Sequence, residues 1–335
     1  MAYQIEIADQ DISLTCEAGE SVLEAIERAG YAVPYSCRKG VCATCECALT
    51  SGSVAVGSRE PQASPLPNLR VCVAVPRSDI CIAPSSIRKA ALLHRKRISV
   101  SVYRIEHPAD DVTVLQLRLP IGRRMPFRAG QYIRVHFGDG ESRNYSLANA
   151  PRDNNQMVLH IRHVPAGRFS GGQLPHLQVG DLLDVEGPFG QFGANEESAS
   201  PILMLATGTG YTPLNSILAD NARRRKRRPV HLFWGGRTSR DLYQMELLES
   251  LAQQENWFRF TPVLSAPDVG WHGASGHVQH AALHSYLGLL QAEVLACGSP
   301  EMIHDAKSLL CREGGLPEGA FFSDAFVPSG NDAEM

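Results

Sequence analysis

The pattern of hydrophobic and polar residues changes twice along the chain, which predicts three successive regions. In the first region, residues 3–16 alternate as YQIEI and ISLTC around the polar turn ADQD, which is typical of a β-hairpin. The segment SVLEAIERAG then places its apolar residues on one helical face and ends at Gly30. A later strand, ICIA at 80–83, completes a small α+β unit.

The second region contains only short strand patterns. Between 98 and 195 the segments ISVSVYRI, VTVLQLRLP, QYIRVHF, MVLHIRHV and LLDVEG alternate, and turns rich in Gly, Pro and Asn separate them. This pattern predicts a small antiparallel barrel.

The third region combines buried strands with helices. The apolar segments PILMLA, VHLFWG and EVLAC alternate with helix patterns at 213–227, 241–253 and 300–313. Such an order is typical of a parallel α/β sheet.

These patterns predict a multidomain protein of α+β and α/β class. The basic stretch between the first two regions has no strand pattern, which favours a linker. We expect a first domain over 1–88, a linker over 89–97, an antiparallel barrel over 98–197 and a parallel α/β domain over 198–335.

Composition narrows the class of protein. The 335 residues are 44% hydrophobic, which is enough for separate cores, and the apolar runs are far shorter than the ~20 residues of a membrane helix. The net charge of −3 argues against nucleic acid as a partner. The run RRRKRR at 223–228 could be a docking patch for an acidic partner or a phosphate. Because it follows a helix pattern, we interpret it instead as a solvated C-terminal turn. We therefore expect a soluble protein with neither a membrane nor a nucleic acid as partner.

The cysteine spacing is the strongest chemical signal in the chain. Cys37, Cys42, Cys45 and Cys72 follow the pattern C-x4-C-x2-C with a distant fourth, the ligand spacing of a plant-type [2Fe–2S] cluster. A zinc site would normally pair its thiolates in two short C-x2-C knuckles. The other five cysteines are scattered on apolar segments with no signal peptide before them, so we expect free thiols in a reducing cytoplasm.

The cluster loop is expected to supply three ligands, and a distant strand the fourth. Gly40, Ala43 and Thr44 are small and would let backbone amides turn toward the cluster sulfurs. Cys47 is interpreted as a packing residue.

Two segments of the predicted barrel suit a flat, phosphorylated cofactor. GESRNYSLANAP places Arg143, Tyr145 and Ser146 on one strand, and Arg143 and Tyr145 share a face that offers a guanidinium fork and an aromatic ring. PAGRFS at 165–170 adds a loop whose amides and hydroxyl suit phosphate. Ordinary strand chemistry remains the alternative.

In the α/β region, ligand candidates follow the ends of buried strands. Gly208 and Gly210 lie where a dinucleotide phosphate would approach a helix N-terminus, although the segment ATGTGYTP is not a G-x-G-x-x-G fingerprint. Cys297 and Gly298 in ACGSP reach the same carboxyl edge, where ligands bind in open α/β sheets.

The segment FWGGRTSRDLY bears on the choice of nicotinamide cofactor. Its strand ends in Gly-Gly rather than in an acidic residue, and Arg237, Ser239 and Arg240 follow, which suit a ribose 2′-phosphate. A merely solvated loop remains open, so the sequence favours NADPH over NADH only slightly.

Two further segments have plain alternatives. Phe326 and Asp324 lie in a terminal aromatic segment that a core strand would explain equally well. His277, His280 and His284 have no cysteine or carboxylate nearby, so we interpret them as exposed helix residues rather than metal ligands.

Taken in this order, the three regions resemble the benzoate-dioxygenase-reductase group of the ferredoxin-NADP⁺ reductase superfamily over almost the whole chain. PYSCRKG, SDICIAPSS, LRLPIGRR, DGESRNYSLANAP and LHIRHVPAGRFS are most similar to the reductases of terephthalate-type aromatic-ring dioxygenases. ANAP and FFSDAFVP are also similar to CDP-6-deoxyglucoseen reductases. The resemblance implies a β-grasp ferredoxin domain, an FAD-binding barrel and an NAD(P)H-binding domain.

The resemblance also implies the cofactor-binding residues. For FAD these are Arg143, Tyr145 and Ser146, with Gly167, Phe169 and Ser170 at its diphosphate and Phe326 near the isoalloxazine. For the dinucleotide they are Thr207, Gly208, Thr209, Gly210 and Pro213, with Cys297 and Gly298 beside the nicotinamide. His160 and Arg162 are further cofactor-binding candidates, and the residue pattern described above adds Arg237, Ser239 and Arg240. The candidate catalytic residues are Cys297, Phe326 and Ser146, with Cys297 as a positioning group rather than a base.

The chain departs from the family pattern at two places. Ala43 replaces the usual Gly, which we expect to tilt one amide or change the cluster potential. The usual G-G-T-G-x-A-P is here Thr207-Gly-Thr-Gly-Tyr-Thr212-Pro, which adds bulk where the dinucleotide would lie.

Electron counting gives the expected function. NAD(P)H donates two electrons and a [2Fe–2S] cluster accepts one, so FAD is expected to stand between them. The chain lacks the C-x-H and C-x2-H pairs of a Rieske centre, so the acceptor should be a separate oxygenase. We expect it to dock at the exposed rim of the cluster loop, around Arg38, Lys39 and Val41. A deoxysugar-dehydratase reductase and a redox-sensing binding module are the alternatives.

Overall fold

The computed structural model describes residues 2–40, 42–57, 59–89, 95–138, 140–224, 227–286 and 291–327. The chain divides into two units, one over residues 1–93 and one over residues 94–329.

The first unit is built from short strands and one helix. These are β1 (Tyr3–Ile7), β2 (Ser13–Cys16), α1 (Val22–Arg28), β3 (Tyr31–Ala32), β4 (Glu46–Ser51), β5 (Ser53–Val56), β6 (Gln62–Ala63), β7 (Leu66–Arg70), β8 (Ala74–Pro76), β9 (Ile80–Pro84) and β10 (Arg88–Lys89).

The main sheet of this unit has the order β2-β1-β9-β4-β7. The predicted hairpin is confirmed, because β1 and β2 pair antiparallel with Tyr3 opposite Cys16. β9 returns parallel to β1, with Ile5 opposite Ile80. Strands β1 and β9, which come from opposite ends of the unit's sequence, therefore lie side by side in the sheet.

Helix α1 packs its apolar face on this sheet. Its N-terminus carries a capping box in which Ser21 and Glu24 satisfy each other's backbone amides, a feature worth about 1 kcal/mol. Leu23 and Ile26 are fully buried in the same core as Ile5 and Ile82. Burial of these side chains fixes the helix against the sheet.

The second unit begins with six antiparallel strands in the order β14-β13-β16-β11-β12-β15. They are β11 (Lys96–Ala109), β12 (Val112–Arg118), β13 (Tyr132–Phe137), β14 (Glu141–Ser146), β15 (Gln156–Arg162) and β16 (Leu182–Phe189). A turn of π-helix over Arg168–Gln173 and a 3₁₀ turn over Leu174–His176 follow β15. The inward residues of the strands, among them Val100, Leu117 and Ile133, form one buried core, as the alternation predicted.

The unit continues with a six-stranded parallel sheet in the order β20-β19-β18-β17-β21-β22. Its elements are β17 (Ile202–Thr207), α2 (Tyr211–Ala222), β18 (Val230–Gly236), α3 (Met245–Gln254), β19 (Phe258–Leu264), β20 (Ala274–Ser275), α4 (Val278–Ser285), β21 (Glu293–Gly298), α5 (Pro300–Arg312) and β22 (Phe321–Ala325). Single 3₁₀ turns cover Gly208–Gly210, Ser239–Asp241 and Glu318–Ala320. β17 lies at the centre between β18 and β21, so the loop after it is the natural ligand edge.

The antiparallel and parallel sheets of the second unit are joined by polar contacts. The hydroxyl of Ser216 on α2 donates to the carbonyl of Asn149 at 2.7 Å. The amide of Asn215 donates to the carbonyl of Ala148 at 3.2 Å. These bonds fix the helix after β17 against the strands that precede it.

The arginine run at 223–228 is not uniformly solvated, which corrects the expectation for its last residue. The side chain of Arg228 is only 7% exposed and lies 3.0 Å from the carboxylate of Glu293. It also donates to the carbonyls of Ser200 at 2.7 Å and Asn195 at 3.0 Å. Residues 225–226 of the run lie outside the described residues.

The predicted linker at 89–97 is described only at its ends. β10 ends at Lys89, β11 begins at Lys96, and residues 90–94 lie outside the described residues. The domain limits proposed from the sequence therefore stay predictions. None of the described helices has both the length and the apolar character that crossing a membrane requires.

Candidate functional site

The four cysteines of the predicted cluster lie together in two pairs. The thiols of Cys37 and Cys42 hydrogen-bond to each other, and so do the thiols of Cys45 and Cys72. In each pair this bond raises the pKa of one thiol, Cys37 or Cys45, and lowers the pKa of its partner. The arrangement therefore brings together four sulfurs that can be deprotonated to bind metal.

The loop between β3 and β4 supplies three of these thiols, as expected. The fourth, Cys72, lies in a turn just after β7 rather than on a strand, so that detail of the prediction was wrong. Backbone amides face the sulfurs: Lys39 donates to Cys37 at 3.3 Å, and Gly40 donates to Cys72. Such bonds stabilise thiolate charge.

Left-handed backbone gives the loop its shape. Arg38, Gly40 and Ala43 have φ values of 56°, 71° and 59°. A side chain at Gly40 would also lie 2.9 Å from Val73. Ala43 holds the same conformation with a Cβ present, a conformation that glycine adopts at lower cost.

The rim of the loop differs from the exposed surface that the sequence suggested. Arg38 forms an ion pair with Glu27, and its side chain is only 11% exposed. Its guanidinium also lies 4.8 Å from the centre of the Tyr35 ring. Lys39 is half-buried, and Val41 lies outside the described residues.

The thiol pairs fit a binuclear cluster. Among the residues that the structure describes, no three or more histidine, cysteine, aspartate or glutamate side chains converge as the ligands of a single metal ion would, and the four thiols are instead arranged as two pairs. A [2Fe–2S] cluster has two irons that share four thiolates, so a two-by-two arrangement suits it. Cys47 is buried in the core of the unit, consistent with packing.

The barrel candidates Arg143 and Tyr145 share a face of β14, as predicted. The guanidinium of Arg143 lies 5.4 Å from the centre of the Phe137 ring, and the Tyr145 ring lies 5.5 Å from that of Phe169. Ser146, one residue on, is buried opposite Tyr132 of β13.

The loop 165–170 combines a tight turn with a buried aromatic ring. A Cβ at Gly167 would lie 2.6 Å from the hydroxyl of Ser170, so only glycine fits. That hydroxyl accepts a bond from the amide of Val164 at 3.2 Å. The side chain of Phe169 is 1% exposed in the barrel core, so only its backbone is left to line a diphosphate.

His160 and Arg162 on β15 face the parallel sheet. His160 is buried, with Nδ1 3.0 Å from the Tyr243 hydroxyl, and burial lowers its pKa from 6.5 to about 4. Its ring is therefore neutral and packed between the two sheets. Arg162 pairs with Asp111, and one guanidinium nitrogen lies 3.2 Å from where a Cβ on Gly208 would be.

The loop after β17 is shaped by glycines at close contacts. Gly208 has a φ of 52°, and a Cβ at Gly210 would lie 2.2 Å from the carbonyl of Cys297. A Cβ at Gly298 would lie 2.1 Å from the hydroxyl of Thr207. The ends of β17 and β21 therefore meet without side chains between them. Thr209 and Pro213 are buried beside this loop.

Cys297 and Phe326 are brought to the same sheet edge. The amide of Phe326 donates to the carbonyl of Gly298 at 2.8 Å, which holds the segment after β22 against the end of β21. Cys297 is fully buried, and burial raises the pKa of its thiol well above the usual value. Asp324 is buried as well.

The loop after β18 places Arg237, Ser239 and Arg240 near a second loop. Arg237 and Arg240 are exposed, and the amide of Ser239 donates to the carboxylate of Asp268 at 2.8 Å. The loop follows β18, which pairs with β17, and it carries side chains of both charge signs.

The histidines of α4 have no metal-binding partners in this part of the chain. His277, His280 and His284 are exposed and line a surface cavity of about 340 Å³ with Thr261 and Ser275. The predicted exposure of all three is confirmed, with His280 and His284 on α4 and His277 at its N-cap.

Three family models match successive stretches of the chain. The 2Fe-2S iron-sulfur cluster binding domain matches residues 5–77, the oxidoreductase FAD-binding domain residues 99–193 and the oxidoreductase NAD-binding domain residues 204–308. The reductase component 1 of terephthalate 1,2-dioxygenase from a Comamonas species is 38% identical, over 98% of this chain and 98% of that protein.

The chain belongs to the iron–sulfur flavoprotein reductases.

Other relatives of this iron–sulfur flavoprotein reductase serve different systems. A CDP-6-deoxy-L-threo-D-glycero-4-hexulose-3-dehydrase reductase from Yersinia pseudotuberculosis is 32% identical, over 98% of this chain and all of that protein. A solved Amycolatopsis cytochrome P450 reductase superposes with a TM-score of 0.79 at 26% identity, over 97% of this chain and 99% of that chain. The predicted family, fold class and cofactor domains are confirmed.

Sequence reasoning missed an aromatic group that contacts the loop after β17 of this iron–sulfur flavoprotein reductase. The indole nitrogen of Trp234 donates to the carbonyl of Gly208 at 2.9 Å. Tyr211 stacks on the Trp234 ring at 4.4 Å, and Tyr243 meets that ring edge-on at 5.1 Å. The apolar pattern of VHLFWG predicts that Trp234 is buried. Nothing in that pattern indicates its hydrogen bond to Gly208, which lies 26 residues earlier in the chain.

Proposed function

We propose that this chain is the reductase of an aromatic-ring dioxygenase of the terephthalate type. It passes electrons from NAD(P)H through FAD and a [2Fe–2S] cluster to the Rieske centre of a separate oxygenase. The observation that carries the proposal is the end-to-end similarity to a terephthalate 1,2-dioxygenase reductase component, with 38% identity over 98% of both proteins. The name of that relative describes it as the reductase component of a larger system, which supports our proposal that the electron acceptor is another polypeptide.

The barrel residues have the chemistry to hold FAD. Arg143 offers a guanidinium fork for the diphosphate, and Tyr145 offers a ring for the flat part of the molecule. The turn at Gly167 and Ser170 supplies amides and a hydroxyl for a second phosphate contact. Ser146, the last residue of β14, is assigned to binding of the flavin. A bound flavin accepts two electrons together and releases them singly, which joins a hydride donor to a one-electron cluster.

The dinucleotide is assigned to the edge where β17 and β21 end. Gly208 and Gly210 leave room for backbone to approach a diphosphate, and α2 follows directly, so its N-terminal amides favour an anion. Arg162 adds a positive charge beside Gly208. The remaining residues assigned to this dinucleotide site are Thr207, Thr209 and Pro213.

Cys297 is assigned a positioning role. Its thiol is buried and its pKa is raised, so it is neutral at physiological pH and unsuited to act as a base. Phe326, tethered to Gly298 through its backbone, supplies the aromatic surface at the same edge. These side chains act by aligning donor and acceptor, which is the principal requirement of hydride transfer.

Electrons leave through the loop of Cys37, Cys42, Cys45 and Cys72. As thiolates these four side chains would hold the cluster, and the amides of Lys39 and Gly40 that face the sulfurs would stabilise its negative charge. Domain limits of 1–88, 98–197 and 198–335, with a linker at 89–97, are part of this proposal.

The deciding experiment pairs the purified holoprotein with a terephthalate 1,2-dioxygenase oxygenase component. We expect NAD(P)H oxidation that depends on terephthalate and yields the dihydroxylated product in matching amount. Cytochrome c reduction by the same preparation serves as the control for a working relay. A preparation that reduces cytochrome c but supports no turnover with terephthalate or other aromatic diacids would refute the terephthalate assignment.

A second candidate is the reductase of a deoxysugar dehydratase. Its support is the 32% identity over 98% of this chain to the Yersinia dehydrase reductase. Exchange of the oxygenase for a dehydratase component in the same assay separates the two. A redox-sensing module is a third candidate, and failure to reduce cytochrome c with both NADH and NADPH, with flavin and cluster bound, would favour it.

A further inference from the structure

The loop after β18, which follows the proposed dinucleotide edge, faces the loop after β19. Two backbone bonds hold them side by side: Ser265 donates to the carbonyl of Gly236 at 3.0 Å, and Ala266 donates to the carbonyl of Arg237 at 2.9 Å. Asp268 follows in the second loop. It is therefore placed next to the residues that the sequence assigned to a ribose 2′-phosphate.

The amides of the first loop already bind carboxylates. One oxygen of Asp241 accepts bonds from the amides of Arg237 at 2.8 Å and Thr238 at 2.9 Å. The Ser239 amide donates to Asp268 at 2.8 Å, and the Ser239 hydroxyl also bonds to that carboxylate. The donors that a 2′-phosphate would need are thus occupied by two anions.

The charges of the two loops also cancel. Arg237 and Arg240 contribute two positive charges, and Asp241 and Asp268 contribute two negative charges. Bonds from Ser239 hold the pKa of the exposed Asp268 carboxyl below its usual value, so it is an anion at neutral pH. A phosphate placed here would meet a carboxylate, and like charges in contact oppose binding.

We infer that Asp268 makes this reductase selective for NADH, by accepting a hydrogen bond from the ribose 2′-hydroxyl of the dinucleotide and repelling a 2′-phosphate. The inference rests on the proposed function only in placing the adenosine ribose at this edge. A carboxylate is the group that commonly recognises a free 2′-hydroxyl in nucleotide-binding α/β sheets. In this chain the carboxylate belongs to the loop after β19. The inferred selectivity for NADH is opposite to the slight preference for NADPH that Arg237 and Arg240 suggested.

The test compares two adenosine fragments on the oxidised holoprotein by titration calorimetry. 5′-AMP carries the free 2′-hydroxyl, and 2′,5′-ADP carries the 2′-phosphate. We expect 5′-AMP to bind at least about tenfold more tightly, the effect of one charge-assisted hydrogen bond. The ratio of kcat/KM for NADH and NADPH, measured with ferricyanide as acceptor, should show the same preference.

Variants separate the role of Asp268 from a structural one. Asp268→Asn should shift both ratios toward the 2′-phosphate by roughly tenfold or more, whereas Asp268→Glu should retain the preference for NADH. Asp305→Asn on α5 removes an exposed aspartate from the same domain and should leave both ratios unchanged. Wild-type protein that prefers 2′,5′-ADP and NADPH, or unchanged ratios in a folded Asp268→Asn variant, would overturn the inference.

These measurements use no oxygenase. A failure of the terephthalate assay would therefore leave the nucleotide preference intact, and the converse also holds. If Asp268→Asn lost its flavin or failed to fold, the wild-type ratios alone would decide the direction of the preference.

Discussion

Replacement of Arg228 by methionine should strongly destabilise the second unit. The Arg228 and Glu293 side chains are 7% and 8% exposed, and their charged atoms lie 3.0 Å apart. The guanidinium also satisfies the carbonyls of Ser200 and Asn195. Removal of the cation leaves a buried carboxylate without its charge partner, which costs about 3–5 kcal/mol. For a unit of this size we expect the melting temperature to fall by roughly 6–20 °C in calorimetry.

The same arginine run supplies a matched control. Arg227 is 42% exposed and pairs with Glu255 at 3.1 Å, so Arg227→Met should cost at most about 1 kcal/mol. The double variant Arg228→Met with Glu293→Gln should recover much of the loss, because no unpaired charge remains buried. Equal melting temperatures for Arg227→Met and Arg228→Met would refute the reasoning.

Three further predictions follow from the described geometry. Burial lowers the pKa of His160 and His231 from 6.5 to about 4, so each is neutral in the folded protein. Below pH 6.5 the unfolded chain takes up a proton at each histidine that the folded protein does not. The free energy of unfolding should therefore be highest above pH 6.5 and fall by up to about 3 kcal/mol for each histidine as the pH approaches 4. Thermal unfolding of His160→Gln should therefore depend less on pH in that window, and an identical dependence would contradict the assignment. Trp234→Phe keeps the aromatic stack but loses the bond to Gly208, so KM for the dinucleotide should rise roughly three- to tenfold, with kcat and flavin absorbance unchanged in a ferricyanide assay. Because Ala43 has a φ of 59°, Ala43→Val should speed cluster loss to a chelator while Ala43→Gly should slow it, and equal decay of the cluster absorbance would count against strain there.

Local patterns were enough to predict most of the fold. Alternation in the barrel strands and continuous apolar runs in β17, β18 and β21 are direct consequences of how each sheet is buried, so fold class followed from them. The cluster loop was predictable for a similar reason, because three of its thiols lie within nine residues of chain. Cofactor chemistry could then be inferred from electron counting.

The failures involve partners that are distant in the sequence. Arg228 looked solvated because its partner Glu293 belongs to a strand 65 positions later. Asp268 lies 29 residues from Ser239, and no spacing rule connects two loops at the ends of neighbouring strands. Phe169 was placed at a phosphate by its motif, yet its side chain fills the barrel core. Only the tertiary structure shows which side chain in a motif is available to a ligand.

The central claim is that electrons leave this chain through a [2Fe–2S] cluster held by the thiol pairs Cys37/Cys42 and Cys45/Cys72. The most direct measurement compares Cys72→Ser with Cys81→Ser, a cysteine of β9 outside the pairs. Each variant is assayed for NAD(P)H oxidation with ferricyanide, which takes electrons from flavin, and for turnover with the oxygenase. We predict that Cys72→Ser loses cluster absorbance and oxygenase turnover but keeps ferricyanide reduction, while Cys81→Ser keeps all three. Oxygenase turnover by Cys72→Ser at the wild-type rate would contradict the account.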